Sequence, residues 1–104
     1  MDTPAKVVSG EDHCEVELFA SVFCPYCHVA RRLLRHRGIR YRYREVPMLL
    51  GFKLPLPVYR EMKRRSGGET TVPQIFVNGR HYGDEDTLKS DERAGKLDTI
   101  FRCR

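Results

Sequence analysis

The feature that most constrains the fold is the tetrapeptide Cys24-Pro25-Tyr26-Cys27, which separates a strand pattern from a helix pattern. Residues 15–20 partly alternate between apolar and charged side chains and predict a strand. Pro25 suits the first position of a helix because its missing N–H needs no partner there. Beyond the tetrapeptide, apolar residues recur at helical spacing opposite arginines, and Gly38 is predicted to end this helix.

The next segments predict a second strand and a loop. Residues 39–46 alternate strictly between apolar or aromatic side chains and arginines, which predicts a strand with one wet face. Two strands joined through a helix form a βαβ unit, which favours a parallel pair. Residues 47–57 hold three prolines and a glycine, and they predict an irregular connection with some buried side chains.

The second half of the chain predicts two helices around a hairpin. One helix is expected at about 57–65, ended by Gly67-Gly68. Asn78-Gly79 is a strong turn signal, so residues 74–77 and 80–82 are predicted to pair as a hairpin. Asp84 is expected to cap a third helix, and a short turn or helix is predicted within 96–104. The order β-α-β-α-β-β-α predicts an α/β, thioredoxin-like fold with a four-stranded mixed sheet flanked by helices.

Two thiols at the start of a helix favour redox chemistry. The N–H groups and dipole of a helix N-terminus favour the thiolate of Cys24, which is the attacking form of a thiol. Cys27 lies one turn further in, so we expect it to be more buried, less acidic and suited to resolving a mixed disulfide. The alternative is half of a zinc site, but no second close pair of ligands has metal-ligand spacing, so no metal is predicted.

Two further signals suggest how a thiol-bearing peptide would bind. Thr71-Val72-Pro73 precedes a predicted strand, where a trans proline would be the ordinary interpretation. Together with the cysteine tetrapeptide upstream it predicts a cis Val72–Pro73 peptide, which would offer the backbone of Val72 to an extended ligand. Gly83 allows close approach, and the N–H groups after it open a helix and suit a carboxylate. Glutathione carries a thiol, a peptide backbone, an amine and carboxylates, which could contact the cysteines, the Val72 backbone and the start of the third helix.

Together these residues resemble a bacterial-type glutaredoxin over roughly residues 15–101. The resemblance rests on Cys24-Pro25-Tyr26-Cys27-His28, Thr71-Val72-Pro73 and the region around Gly83. It implies a dithiol enzyme that reduces protein disulfides and glutathione mixed disulfides, with Cys24 as nucleophile and Cys27 as resolving thiol. It assigns glutathione binding to residues around them: Tyr26, Thr71, Val72, Pro73, Gly83, Asp84 and Glu85. No permanently bound cofactor is implied, and glutathione is the reducing co-substrate.

The chain departs from the family pattern at two positions near this site. Ser21 stands where many members carry a lysine, and Tyr82 stands where the family has the first of two glycines. Arg64 or Arg65 is a candidate to replace the missing positive charge. The alternatives are a small redoxin reduced by thioredoxin reductase and an iron–sulfur-binding glutaredoxin, although Pro25 argues against the latter.

Composition sets the expected organisation and partners. The 104 residues predict a flexible segment at 1–14 and one domain at 15–104. No apolar run approaches the roughly 20 residues that span a bilayer, and residues 1–14 lack the apolar core of a secretory signal, so a cytoplasmic location without a membrane partner is expected.

The positive charge is the other compositional feature. The net charge is +5, and the stretch from Arg31 to Arg44 holds seven arginines and no acid. We interpret it as a solvated face, with attraction of an anionic ligand as the alternative. No nucleic-acid partner is predicted, because no nucleic-acid-binding motif accompanies the charge. The expected molecule is a monomer that acts on disulfide-containing or glutathionylated proteins.

Overall fold

A computed structural model of the chain describes residues 14–102. The elements in chain order are β1 (Val16–Ala20), α1 (Pro25–His36), β2 (Arg42–Glu45), β3 (Met48–Leu49), β4 (Phe52–Lys53), α2 (Pro57–Arg65), β5 (Gln74–Val77), β6 (Arg80–Gly83), α3 (Glu85–Arg93) and α4 (Leu97–Phe101). The predicted flexible segment falls outside the described residues except for Cys14, which is buried. None of the helices in the described part is long and apolar enough to cross a membrane.

A mixed four-stranded sheet forms the centre of the fold, in the order β2-β1-β5-β6. β1 and β2 are parallel, as expected for strands joined through α1. β5 runs antiparallel to β1, and the Asn78-Gly79 turn reverses the chain into β6. The predicted thioredoxin-like architecture is therefore confirmed.

Helices cover both faces of this sheet. On one face, side chains from β1 and β5 pack against α1, α3 and α4 in a core cluster that includes Leu18, Ile75 and Leu34. On the other face, a smaller cluster joins Phe19 and Phe76 to Met62 of α2. Because alternate residues of β1 enter opposite clusters, the strand is buried on both sides.

The prediction of a wet arginine face on β2 holds at Arg42, whose side chain is 71% exposed, but it is wrong at Arg44, which lies against the second cluster. Arg44 is largely buried, and its guanidinium lies 4.8 Å from the centre of the Phe19 ring. It donates to Glu61 over 2.7 Å and to Glu17 over 3.2 Å. The prediction failed because α2 packs over this face of the sheet and supplies carboxylates, which the local alternation of β2 does not reveal. The strand is also shorter than predicted, starting at Arg42 rather than at Ile39.

The prediction for residues 47–57 is also wrong. β3 and β4 form an antiparallel two-stranded hairpin, and no side chain of this segment is fully buried. The turn residues Leu50 and Gly51 have φ angles of 52° and 84°. A leucine is unusual in such a turn, so the sequence carried no local signal for it.

The helix limits follow from the predicted caps. Pro25 and Pro57 open α1 and α2. Asp84 caps α3, because its Oδ1 atom accepts hydrogen bonds from Thr87 N–H and Thr87 Oγ1–H, both at 3.2 Å. Gly38 and Gly95, with φ angles of 74° and 72°, follow the ends of α1 and α3.

Candidate functional site

The candidate site lies at one end of the sheet, where four elements meet. β1 ends at Ala20, immediately before the loop that leads to Cys24. The antiparallel register sets Phe19 beside Gln74, the first residue of β5, and sets Ile75 beside Gly83, the last residue of β6. The cysteine tetrapeptide, the Val72–Pro73 peptide and the start of α3 therefore occupy the same end of the fold.

Cys24 occupies the N-cap of α1, as the sequence predicts. Its Sγ atom accepts a hydrogen bond from the N–H of Cys27 over 3.3 Å. The side chain is only 8% exposed. A thiolate at this position would be stabilised by that N–H and by the positive end of the helix dipole.

Cys27 lies one turn into α1 and is completely buried. Burial in the core is the main reason that the pKa of its thiol lies well above the ordinary value, and a hydrogen bond with Cys24 raises that pKa further. The N–H of Ser21, 3.4 Å from the Cys27 sulfur, lowers that pKa by a smaller amount. The expectation that Cys27 is the more buried thiol is confirmed, and its raised pKa is in the expected direction. Both thiols are free.

The Val72–Pro73 segment faces Cys24. The peptide bond is cis, as predicted from the sequence. The Sγ atom of Cys24 lies 3.7 Å from the carbonyl oxygen of Val72. Next to them, the side-chain amide of Gln74 donates to the carbonyl oxygen of Thr71 over 3.0 Å, which fixes the start of β5.

Residues 21–23 form a loop that precedes Cys24. The hydrogen bonds that hold this loop were not predicted from the sequence. The Ser21 hydroxyl accepts from Phe23 N–H over 3.2 Å, while Glu45 accepts from Val22 N–H over 3.4 Å. His28 Nε2 lies 3.0 Å from the carbonyl oxygen of Val22, so this exposed histidine contacts the loop rather than either thiol. The one available signal was that Glu45 ends an otherwise acid-free run of arginines.

The two departures from the family pattern have structural explanations. Ser21 is buried, so no charged side chain reaches solvent from its position. Tyr82 packs against the core: its ring centre lies 5.3 Å from that of Phe101 and its hydroxyl donates to Asp91 over 2.5 Å. Burial, followed by this hydrogen bond, raises the pKa of the Tyr82 phenol.

Arg65 is already engaged with carboxylates of the protein. It donates to Glu17 over 2.5 Å and to Glu61 over 2.8 Å. The hydrogen bond from Arg65 is the main reason that the pKa of Glu17 lies below its usual value, and bonds from Arg44 do the same for Glu61. Of the two arginines considered as substitutes for the family lysine, only Arg64 is fully exposed.

The residues at the start of α3 support the helix itself. Gly83 has a φ of 152°, and a Cβ atom there would come within 2.5 Å of Thr87 Oγ1, so strand and helix approach as closely as only glycine permits. Asp84 caps the helix, and the buried Glu85 pairs with Lys89 over 3.3 Å. The carboxylates of Asp84 and Glu85 are thus occupied, which leaves their backbone N–H groups as the candidate ligand contacts.

Tyr26 and Phe23 flank the thiols on the surface. Tyr26 is 61% exposed and Phe23 is 75% exposed. Two large aromatic side chains therefore surround the nearly buried Cys24. Among residues 14–102 there is no cluster of three or more histidine, cysteine or acidic side chains able to hold a metal ion.

Comparisons of the sequence with a family model and with known proteins identify the same family. The family model described as Glutaredoxin matches residues 16–82. Glutaredoxin 3 of Escherichia coli K12 is 33% identical over 90 residues, covering 84% of this chain and 96% of the relative. A glutaredoxin of Pseudomonas aeruginosa is 36% identical over 86 residues, covering 83% and 94% of the two chains.

Solved structures give the same result. A solution structure of glutaredoxin from Brucella melitensis has a TM-score of 0.70 and 30% identity, covering 90% of this chain and 95% of that chain. A crystal structure of a buckwheat glutaredoxin–glutathione complex has a TM-score of 0.69 and 25% identity, covering 84% and 76%.

Proposed function

This chain belongs to the glutaredoxin family of thiol–disulfide oxidoreductases, and on that premise we propose that Cys24 and Cys27 reduce protein disulfides and glutathione mixed disulfides at the expense of glutathione. The observation that carries the proposal is the N-cap position of Cys24, with the Cys27 N–H directed at its sulfur over 3.3 Å. That N–H would stabilise a thiolate there, and the exposed Phe23 and Tyr26 stand on either side of Cys24 in the chain.

The first step is an exchange at sulfur. The Cys24 thiolate attacks one sulfur of the substrate disulfide, a new S–S bond forms, and the other sulfur leaves as a thiolate that takes up a proton. With a glutathionylated protein, attack on the glutathione sulfur releases the reduced protein and leaves glutathione on Cys24. A second glutathione, as its thiolate, then attacks that sulfur, restores the Cys24 thiolate and yields oxidised glutathione.

Protein disulfides require the second thiol. Cys27 loses its proton and attacks the Cys24 sulfur, which releases the second substrate sulfur as a thiol and leaves a Cys24–Cys27 disulfide. Two electrons have then passed from the dithiol to the substrate, and two glutathione molecules return them as they become oxidised glutathione. Because burial raises the pKa of Cys27, this thiol stays protonated until the mixed disulfide forms.

Glutathione is the reductant that the surroundings of Cys24 suit. The Val72 carbonyl lies 3.7 Å from the Cys24 sulfur, and the Val72 backbone is the candidate for pairing with the peptide of a bound glutathione. We assign Thr71, Pro73 and Tyr26 to the walls of this groove. The structural neighbour from buckwheat was solved with glutathione, which supports the same ligand here.

The γ-glutamyl end is assigned to the start of α3. Backbone N–H groups of Asp84 and Glu85 open this helix and can receive a carboxylate, while Gly83 keeps the approach free of a side chain. We further propose that the protein works as a monomer in the cytoplasm, contributing to electron transport and to cell redox homeostasis, with disulfide-containing and glutathionylated proteins as partners and no membrane or nucleic acid.

A coupled assay tests the proposal. Reduction of a glutathione mixed disulfide of a small thiol is followed through glutathione reductase and NADPH for wild type and for Cys24→Ser. We expect turnover by the wild type and none by the variant. If folded, reduced wild type is inactive here yet accepts electrons from thioredoxin reductase, the glutathione assignment is wrong and the alternative reductant replaces it.

A further inference from the structure

The β3–β4 hairpin carries an apolar surface that the fold does not use. Leu50 is 87% exposed and Phe52 is 75% exposed, and Leu49 pairs with Phe52 across the hairpin and is exposed as well. Exposed apolar residues are ordinary when they are single, but a contiguous group at one hairpin tip indicates an interaction site.

The conformation of Leu50 adds a second cost. Leu50 and Gly51 have φ angles of 52° and 84°, close to the 52° and 82° of Asn78 and Gly79 in the other hairpin. Asparagine is favoured at such a position, whereas leucine is strained there. Leu50 is therefore unfavourable for folding in two ways, through its exposed apolar side chain and through its backbone conformation. A residue that costs stability in both ways is a candidate for a role outside folding.

The hairpin tip reaches the residue next to the active cysteine. Phe23, the residue before Cys24, lines a shallow cavity of about 290 Å³ together with Met48, Leu49, Leu50 and Gly51. Among residues 14–102, no charged side chain lines this cavity. A substrate disulfide that reaches Cys24 therefore brings its neighbouring residues against an uncharged, apolar wall.

We propose that the hairpin tip and Phe23 form a docking surface for protein substrates that carry an apolar segment next to the disulfide. This inference rests on the proposed function, because the attack of Cys24 on the disulfide is what brings the segment to the surface. The surface selects among protein disulfides, since a glutathione mixed disulfide of a small thiol has no such segment to bury. Burying a leucine or phenylalanine of the substrate in the cavity would strengthen binding through the hydrophobic effect.

Two disulfide-closed peptides with the same ring provide the test, one with leucines and one with serines beside the disulfide. We expect the wild type to reduce the leucine peptide with a kcat/KM about fivefold higher, a ratio typical of one partly buried side chain. Leu50→Asn and Phe52→Thr should each lower this ratio, and the double variant should bring it near one. Turnover of the small glutathione mixed disulfide should stay unchanged in all of them.

Leu56→Asn is the matched control, because Leu56 is exposed but lies outside the β3–β4 hairpin, whereas Phe52 pairs with the cavity residue Leu49. It should keep the fivefold ratio. Leu50→Asn should raise the urea midpoint of unfolding, so a lost preference in that variant cannot be attributed to misfolding.

Equal turnover of both peptides by an otherwise active wild type would overturn the docking surface while leaving the proposed function intact. A preference that survives in the double variant would overturn it too. A wild type that sediments as a dimer and a double variant that sediments as a monomer, with the same leucine-to-serine ratio of kcat/KM, would overturn it as well. The surface would then be covered by a second copy of the chain. Failure of the wild type on the peptides and on the mixed disulfide would refute the proposed function and the docking surface together.

Discussion

The backbone N–H of Ser21 lies 3.4 Å from the Sγ atom of Cys27, and this contact links the end of β1 to the first turn of α1. Cys27 is fully buried, while Cys24 is 8% exposed and occupies the N-cap of α1. Two thiols only three residues apart therefore have different environments. The proposed roles of Cys24 as nucleophile and Cys27 as resolving thiol rest on that difference.

The raised pKa of Cys27 makes stability of the reduced protein depend on pH. The thiol has an ordinary pKa of 9.0 and a higher one when folded, so its contribution to stability is full below pH 9. Above pH 9 the unfolded chain releases this proton while the folded protein keeps it, and the free energy of unfolding falls as pH rises. We expect a loss of about 1 kcal/mol between pH 9 and pH 10, measured by urea unfolding under reducing conditions.

The matched control is Cys27→Ala, which lacks the titrating group. Its free energy of unfolding should change less over the same interval. An identical pH dependence in both proteins would mean that Cys27 is not held in its neutral form by burial.

Cys27→Ser should separate the two proposed activities. Deglutathionylation needs only Cys24, so the variant should keep turnover of the small mixed disulfide within about threefold of wild type. Reduction of a disulfide-closed peptide should fall by at least about a hundredfold, because the neighbouring thiol that releases the substrate within the mixed disulfide is gone and only free glutathione can replace it. Both rates are read from NADPH consumption with glutathione reductase, and equal loss of both would contradict the assignment of Cys27 as resolving thiol.

Gly83→Ala should destabilise the fold more than a similar change at another glycine. A Cβ atom at Gly83 would meet Thr87 Oγ1 at 2.5 Å, while nothing lies within 4 Å of a Cβ atom at Gly79. Gly79 has a φ of 82°, in the left-handed region, whereas Gly83 has a φ of 152°, so both the steric clash and a more strained backbone act at Gly83. We expect losses of about 2 kcal/mol for Gly83→Ala and about 1 kcal/mol for Gly79→Ala, measured by urea unfolding. Equal losses would show that strand and helix are not in such close contact.

Tyr82 should matter for stability rather than for glutathione. Tyr82→Phe removes the hydrogen bond to Asp91 and keeps the packing on Phe101, so we expect a loss of about 1 kcal/mol and an unchanged KM for glutathione. Tyr82→Gly restores the usual family residue but removes the ring, and should cost about 3 kcal/mol. A changed KM for glutathione in Tyr82→Phe would indicate that the Tyr82 hydroxyl reaches the proposed glutathione groove.

Local signals made much of the fold predictable. Pro25, Pro57 and Asp84 mark helix starts, and Asn78-Gly79 marks a hairpin, because each acts through its own backbone or its nearest neighbours. The cysteine tetrapeptide could be found for the same reason, since its chemistry depends on a spacing within one helical turn.

Features that depend on distant elements were not predictable. Arg44 is buried because α2 crosses the sheet and brings Glu61 to it, and nothing within β2 encodes that contact. Ser21 contacts Cys27 through its backbone N–H, and the identity of a side chain does not predict which group its backbone N–H will contact. The β3–β4 turn was missed because Leu50 is a poor residue for the conformation it adopts.

The central claim is that Cys24 is the thiol that exchanges with glutathione, and trapping that intermediate tests it most directly. Cys27→Ser is reacted with oxidised glutathione, quenched in acid, digested and mapped by mass spectrometry. We expect one glutathione in disulfide linkage to Cys24, and added reduced glutathione should remove it. An unmodified Cys24 in the folded protein, or glutathione attached to a different cysteine, would contradict it.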